Sequence, residues 1–146
     1  MCDYQLLQNN KVYTLFKTHD RDYTLKLLIT LIMSRAIYSI ISDEYEVSII
    51  LNEADDELKS ILSDLKMHSY LSQENTKYKC LEVQTELPML AESGMLSTVT
   101  KFFADNHIPI LCMSTYSCNY IFYPIEFVTE LEQAVKKDKK YMLTNV

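Results

Sequence analysis

The chain of 146 residues contains one glycine, Gly94. Loops that wrap a phosphate in backbone N–H groups need several glycines, as does the strained Gly-x-Ser-x-Gly turn of many hydrolases. Both are excluded. Histidine is scarce as well: His19, His68 and His107 are scattered, with no histidine–acid pair at a meaningful spacing. Catalysis is therefore not expected, and neither is a cofactor. His107, just ahead of an expected strand, reads as a surface or helix-end residue rather than a general base.

Arginine occurs twice, as Arg21 and Arg35, and the formal net charge is −6. Phosphate backbones are gripped by clustered basic side chains, so nucleic acid is not an expected partner. The densest basic group, Lys136, Lys137, Lys139 and Lys140, follows an expected helix, where cations suit the negative end of the dipole. The four cysteines, at 2, 80, 112 and 118, form no Cys-x-x-Cys pair, which argues against a zinc site. The longest mostly apolar stretch, Leu27 to Met33, is far too short to span a bilayer, and the opening Met-Cys-Asp-Tyr lacks the apolar core of a signal peptide. No membrane association is expected, and the cytosol, where thiols stay reduced, is the expected address.

What is present is a chain that should fold, with 48% hydrophobic and 23% charged residues. Lys11 to Lys17 reads as a strand, and Thr18-His19-Asp20 supplies polar residues suited to starting a helix over about Asp22 to Ser34. In that helix Leu25, Leu28, Ile29 and Ile32 form one apolar face, and Leu27 and Leu31 extend it well round, so more than one surface is expected to cover it. Strands follow at Ala36 to Ile41 and Tyr45 to Leu51, joined by the polar Ser42-Asp43-Glu44. Leu58, Ile61, Leu62 and Leu65 then keep helical spacing. Glu53, Asp55, Asp56 and Glu57 precede or open that helix, where carboxylates meet the positive dipole end, so the acidic run needs no metal to explain it. A short strand Met67 to Ser72, a polar turn Gln73 to Lys77 and a strand Tyr78 to Thr85 complete the order strand, helix, strand, strand, helix, strand.

From Tyr78 the order starts again: a helix over about Ser93 to Asn106, strands Pro109 to Thr115 and Cys118 to Tyr123, a helix from Ile125 to Lys137, and a strand Tyr141 to Thr144. The halves match at an offset of 72 residues, which pairs Leu27 with Val99, Leu31 with Phe103, Ser42 with Ser114 and Ile49 with Ile121. The expected fold class is α+β, two tandem ferredoxin-like βαββαβ units with antiparallel sheets and helices on one face. The expected boundaries are 8–75 and 76–146.

Gly94 lies between a strand and a helix whose apolar positions are Leu96, Val99, Phe102 and Phe103. A turn alone can require a glycine there. The same place also suits a ligand carboxylate, because the following helix start presents unpaired N–H groups, and Glu92 can receive a cationic group.

The segment His107-Ile108-Pro109-Ile110-Leu111-Cys112-Met113-Ser114-Thr115-Tyr116-Ser117-Cys118-Asn119-Tyr120-Ile121-Phe122-Tyr123, together with Glu92-x-Gly94, resembles an ACT domain. It is similar to the regulatory modules of aspartate kinases and more closely to the cytosolic arginine sensors of the CASTOR family, which act on the target-of-rapamycin nutrient pathway. The likeness is strongest from about Ala91 to Val135, roughly a third of the chain. It implies a non-catalytic module that binds a free amino acid, arginine or another, between two ACT units and signals to a regulatory protein partner.

Carried over residue by residue, the resemblance implies Glu92, Ser93, Gly94, Met95 and Leu96 on the loop side, Pro109 and Ile110 on the strand side, and Thr115 and Asn119 near the hairpin. This chain departs from it at Pro109, which has no N–H to donate, and at Asn119, which offers no charge to a cationic ligand. The first half carries Asp22 where the second has Gly94, so its site is expected to be degenerate. Because the sensors carry four ACT units, the two here imply a homodimer. A ligand-free dimerisation or interaction module on the same fold fits the sequence too. An RNA-binding sheet does not, since Lys79 stands alone among the strand residues that could serve it.

Overall fold

A computed structural model of the chain describes residues 2–34, 36–52, 54, 56–67, 72–85 and 93–146. Its elements run β1 (Tyr4–Gln8), β2 (Tyr13–Thr18), α1 (Arg21–Ser34), β3 (Ser39–Ser42), β4 (Val47–Leu51), α2 (Asp56–Met67), β5 (Ser72–Thr85), α3 (Met95–Asp105), β6 (Leu111–Ser114), β7 (Asn119–Pro124), a 3-10 turn Ile125–Phe127, α4 (Val128–Lys137) and β8 (Tyr141–Asn145). The fold is mixed α+β, built from ferredoxin-like units as expected.

Two compact units divide the chain, one of residues 12–77 and one made of 1–11 with 78–146. Against the expected division at 75/76, the boundary falls at 77/78. Residues 1–11, which include β1, group with the second unit, whereas the expected first unit began at residue 8. Met67 to Ser72 had been expected to form a strand; α2 instead continues to Met67, and 68–71 lie outside the described residues. Gln73 to Lys77 is not a turn but the first part of β5, where Lys77 Nζ donates to Thr14 Oγ1 at 3.0 Å.

In the unit of residues 12–77 the strands lie in the order β3-β4-β2 followed by the first part of β5. β2 and β4 are antiparallel with Phe16 opposite Ile49, and β3 and β4 are antiparallel with Ile40 opposite Ile49. Alternation along each strand sends Phe16, Val47, Ile49 and Leu51 to one face, where they close a core with Leu27 and Leu31 of α1 and Leu58 and Leu62 of α2. Of the apolar residues expected nearly all round this helix, Leu27 and Leu31 are fully buried while Leu25, Ile29 and Ile32 are exposed. With apolar residues nearly all round the helix, periodicity alone has no means of choosing between the two sides.

α1 starts at a complete N-cap. Asp20 Oδ1 accepts the backbone N–H of Asp22 at 3.0 Å and of Tyr23 at 3.1 Å, and Thr18 Oγ1 accepts the N–H of Asp20 at 3.0 Å. Asp20→Ala is expected to cost about 1 kcal/mol, within the usual range for losing such a cap. Urea unfolding checks this through a lower midpoint at unchanged slope.

In the second unit the order is β6-β7-β5-β1-β8. β1 is antiparallel to β5, with Leu6 opposite Val83, and parallel to β8, with Leu6 opposite Leu143. That parallel pair departs from the antiparallel sheet expected, and it exists because the N-terminal strand takes a central place. The core joins Leu6, Leu81, Val83, Ile121 and Tyr123 of one sheet face to Val99, Phe102 and Phe103 of α3 and Leu131 and Ala134 of α4. Among the strand residues on that face, the Tyr123 hydroxyl donates to Gln8 Oε1, and Gln8 Nε2 donates to Asn145 Oδ1 at 2.9 Å.

α3 ends in a Schellman motif. Among the described residues His107 is the one non-glycine residue with positive φ, at 57°; its N–H reaches Ala104 O at 3.0 Å, and Ile108 N–H reaches Phe103 O at 3.0 Å. Ile108 and Phe103 are both buried in the same core, the apolar contact that accompanies this motif. His107 is a helix-end residue, as expected. Lys136 and Lys137 occupy the last turn of α4, where their charge meets the helix carbonyls.

The offset of 72 residues is visible in the elements: β3 and β6, β4 and β7, and α2 and α4 each begin 72 residues apart. It reaches the hairpin loops too. Asp43 N–H donates to Glu46 O at 3.1 Å and Asp43 Oδ1 accepts from Glu46 N–H at 2.8 Å; Thr115 N–H donates to Cys118 O at 2.9 Å and Thr115 Oγ1 accepts from Cys118 N–H at 3.1 Å.

Candidate functional site

The site is the end of the second unit where β5 finishes, β6 finishes, β7 begins and α3 starts. Register fixes this grouping. Val83 of β5 faces Asn119 of β7, and Ser114 of β6 faces Asn119 from the other side. Ser114 Oγ donates to Asn119 Oδ1 at 2.5 Å, and Asn119 Nδ2 points at the sulfur of Met95, 3.9 Å away, in the first turn of α3. Asn119 is buried, so its amide is oriented by partners rather than by water.

Immediately before Met95 stands Gly94, with φ +85° and ψ 0°, a left-handed conformation that residues with a Cβ rarely adopt. Among the described residues nothing lies within 4 Å of where a Cβ would be, and no side chain caps the helix. Gly94 O is already engaged, receiving Thr98 N–H at 3.0 Å and Thr98 Oγ1 at 3.2 Å. Among the described residues, the first N–H groups of α3 therefore meet no capping side chain, and they carry partial positive charge. The matching start of α1 is filled by the carboxylate of Asp20. There Arg21 also ties the helix to the neighbouring hairpin, with Nη1 on Ser42 Oγ at 2.6 Å and Nη2 on Asp43 O at 2.5 Å. The position in the first unit that was expected to be degenerate is thus closed by its own side chains.

Of the residues singled out in the sequence, Gly94, Met95 and Asn119 come together here. Ser93 is exposed beside them, Leu96 is exposed on the first turn of α3, and Thr115 spends its oxygen on closing the exposed hairpin loop. Glu92 lies outside the described residues. Pro109 and Ile110 precede β6 at its other end from Ser114; the resemblance gives the strand side of the ligand to a neighbouring unit. Pro109 is exposed and Ile110 packs against the core. Ser114 belongs to the site and was not among the candidates. Its place was legible, because a four-residue loop from 115 to 118 sets 114 opposite 119.

On the sheet face opposite the helices, the Glu82 carboxylate accepts Gln84 Nε2 at 2.9 Å and the Cys118 thiol at 3.5 Å. Burial first, then the Glu82 charge, pushes the Cys118 thiol up and keeps it protonated. Burial likewise lifts Tyr120 to about 12. These groups are poor nucleophiles at neutral pH, since a thiolate is what reacts. No group of three or more histidine, cysteine or acidic side chains able to hold a metal occurs among the described residues, and none of their helices is long and apolar enough to cross a membrane.

No protein-family model matches the sequence, and no curated protein matches it. Solved structures do match in fold. A protein of Agobacterium tumefaciens superposes with a TM-score of 0.69 at 14% identity, covering 100% of this chain and 96% of that one. The regulatory subunit of aspartate kinase from Thermus thermophilus, in a ligand-free form, gives 0.61 at 8% identity, covering 90% and 95%. The aspartate kinase of Clostridium acetobutylicum gives 0.57 at 12% identity, covering 88% of this chain and 33% of that one. At these identities the likeness is one of fold, and the fold is that of ACT-type regulatory domains. Aspartate kinases carry it in their regulatory parts.

Proposed function

We propose that this chain is a non-catalytic regulatory module that binds a free amino acid at the start of α3 and passes the binding event to a protein partner in the cytosol. One contrast carries this reading. The start of α1 is filled by the chain's own carboxylate at Asp20, whereas among the described residues no side chain caps the start of α3 at the left-handed Gly94. A ligand α-carboxylate at the α3 start takes the role that Asp20 plays at α1, accepting two or three N–H groups. Asn119, held by Ser114 beside Met95, sits next to that start. Arginine is the first amino acid to try, on the resemblance to arginine sensors, with Glu92 in reach in sequence to meet a cationic end. The solved aspartate kinase regulatory subunits support a regulatory rather than catalytic role through their fold.

Thermal unfolding against a panel of amino acids tests it. An amino acid present at a hundred times its dissociation constant adds about 2.7 kcal/mol, a shift of several degrees for a chain of this size. Gly94→Ile lowers the starting Tm, because a β-branched residue is strained at φ +85°, and it removes the ligand shift. If no amino acid moves the Tm of the folded wild type, the sensor reading falls. The ligand-free interaction module then stands, a reading favoured by the exposed apolar side of α1.

A further inference from the structure

The chain carries a net charge of −6, yet four of the five residues 136–140 are lysine. Lys136 and Lys137 close α4, where the helix carbonyls account for them; Lys139 and Lys140 lie in the turn beyond it, past the reach of the dipole. All four are exposed. Lys59 and Lys101 are paired with Asp56 and Asp105, whereas among the described residues none of these four ammonium groups has an acidic partner. Asp138, in their midst, is spent on the turn: its Oδ1 accepts Lys140 N–H at 3.0 Å and its carbonyl accepts Tyr141 N–H at 3.1 Å. The corner is tied down from β1 as well, since Lys140 O receives the N–H of Asp3 at 2.8 Å and of Tyr4 at 2.9 Å. A fixed cluster of like charges gains from an opposite charge brought to it, with little backbone ordering left to offset. We propose that this corner is where the protein partner docks, through an acidic segment, and that Tyr141 connects it to the start of α3.

Chemistry selects the occupant. Phosphate groups are best held by the guanidinium fork, and the corner has no arginine. RNA bases need aromatic faces to stack on, and the tyrosines at hand, Tyr4 and Tyr141, are buried. A membrane or a nucleic acid is also extended, so it would face the negative charge of the rest of the chain, whereas a short segment meets the corner alone. Met142, 43% exposed and two residues on from Lys140, gives apolar residues of such a segment a contact. The link to α3 is direct. The buried Tyr141 follows Lys140, and its hydroxyl donates to Thr98 O at 3.3 Å; Thr98 in turn donates its N–H and Oγ1 to Gly94 O. The Tyr141 ring stacks on Phe102 of the same helix at 4.0 Å. A partner on the corner thus acts on the first turn of α3, and a ligand at that turn acts back on the partner by the same amount. This gives the partner of the regulatory reading its chemistry, and it rests on that reading for what the contact reports.

Fluorescence anisotropy decides it, with a labelled peptide of repeating Glu-Asp-Leu titrated with the whole chain at about 50 mM salt and no amino acid ligand present. The wild type should bind, and Lys139→Glu with Lys140→Glu should weaken binding at least about tenfold. Lys17→Glu with Lys26→Glu, the same change in net charge at exposed positions of the other unit, should alter it by less than about twofold. Saturating peptide should shift the amide resonances of Lys139, Lys140 and Thr98; Tyr141→Phe should keep the affinity and lose the Thr98 shift. No binding, or equal weakening by the two pairs of substitutions, overturns the docking surface. Binding of phosphatidylserine vesicles or polyuridine RNA in place of the peptide, with the same dependence on the lysines, overturns the acidic segment. A Thr98 amide that stays still, or moves alike in Tyr141→Phe, overturns the link. Since no amino acid ligand enters these measurements, a Tm that no amino acid moves sinks the sensor reading and leaves the docking surface standing.

Discussion

Phe103→Ala should destabilise the protein by about 3–5 kcal/mol, the largest loss expected of any single truncation in the second unit. Phe103 is fully buried and lies edge-on to Phe102, with ring centroids 5.4 Å apart and planes at 83°. Phe102 in turn stacks on Tyr141 of β8 at 4.0 Å. One ring thus joins α3 to the sheet, and through the Schellman contact with Ile108 it also fixes where α3 ends. Removing it opens a cavity and loosens the helix whose first turn forms the candidate site. A typical domain has only about 5–15 kcal/mol in hand, so this variant should unfold at much lower urea. Leu96→Ala, seven residues earlier and exposed in the first turn of the same helix, should change stability by less than about 0.5 kcal/mol. Equal losses at the two positions would contradict the placement of α3 on the sheet.

Phe103 is also a position where the sequence spoke plainly. The pairing of Leu31 with Phe103 and of Leu27 with Val99 at an offset of 72 residues picked out buried positions in both helices, whereas apolar periodicity within α1 marked residues nearly all round it without choosing a side. Periodicity reports that a helix has an apolar side; a repeat reports which side two units have in common. Two other features escaped for local reasons. β1 is five residues long, and two of its five are glutamine, one of them the buried Gln8 whose polarity is satisfied only by Tyr123 and Asn145. Gln73 to Lys77 is polar enough to read as a turn, yet backbone pairing and the Lys77–Thr14 contact hold it as strand. The site was legible in part. Gly94 stood out as the lone glycine, and its positive φ supports that choice, while Asn119 was found through the resemblance and its partner Ser114 was missed. Pro109 and Ile110 came with the resemblance alone.

The second large effect is expected at alkaline pH, and its sign follows from burial. Cys80 is 1% exposed, and burial, followed by the Glu82 charge, raises its thiol from 9.0 to about 12. The unfolded chain therefore releases this proton first as pH rises, and the stability that the neutral thiol contributes is intact below pH 9 and lost progressively between 9 and about 12. At about 1.4 kcal/mol per pH unit, the loss from this one group approaches roughly 4 kcal/mol by the upper end. Tyr141, lifted from 10.0 to about 12 by burial and then by Asp138, acts in the same direction above pH 10, as does Tyr123, which burial and Glu132 hold higher still. Tyr120 adds little, since it is partly open to solvent that screens its surroundings. Urea unfolding at pH 7 and pH 10.5 separates the thiol from the tyrosines. Cys80→Ala should cost about 1 kcal/mol at pH 7, for one lost buried atom, yet its further loss on going to pH 10.5 should be smaller than that of the wild type by about 2 kcal/mol. An unchanged pH dependence in the variant would mean that the Cys80 thiol titrates alike in the folded and unfolded chain, and that β5 does not bury it.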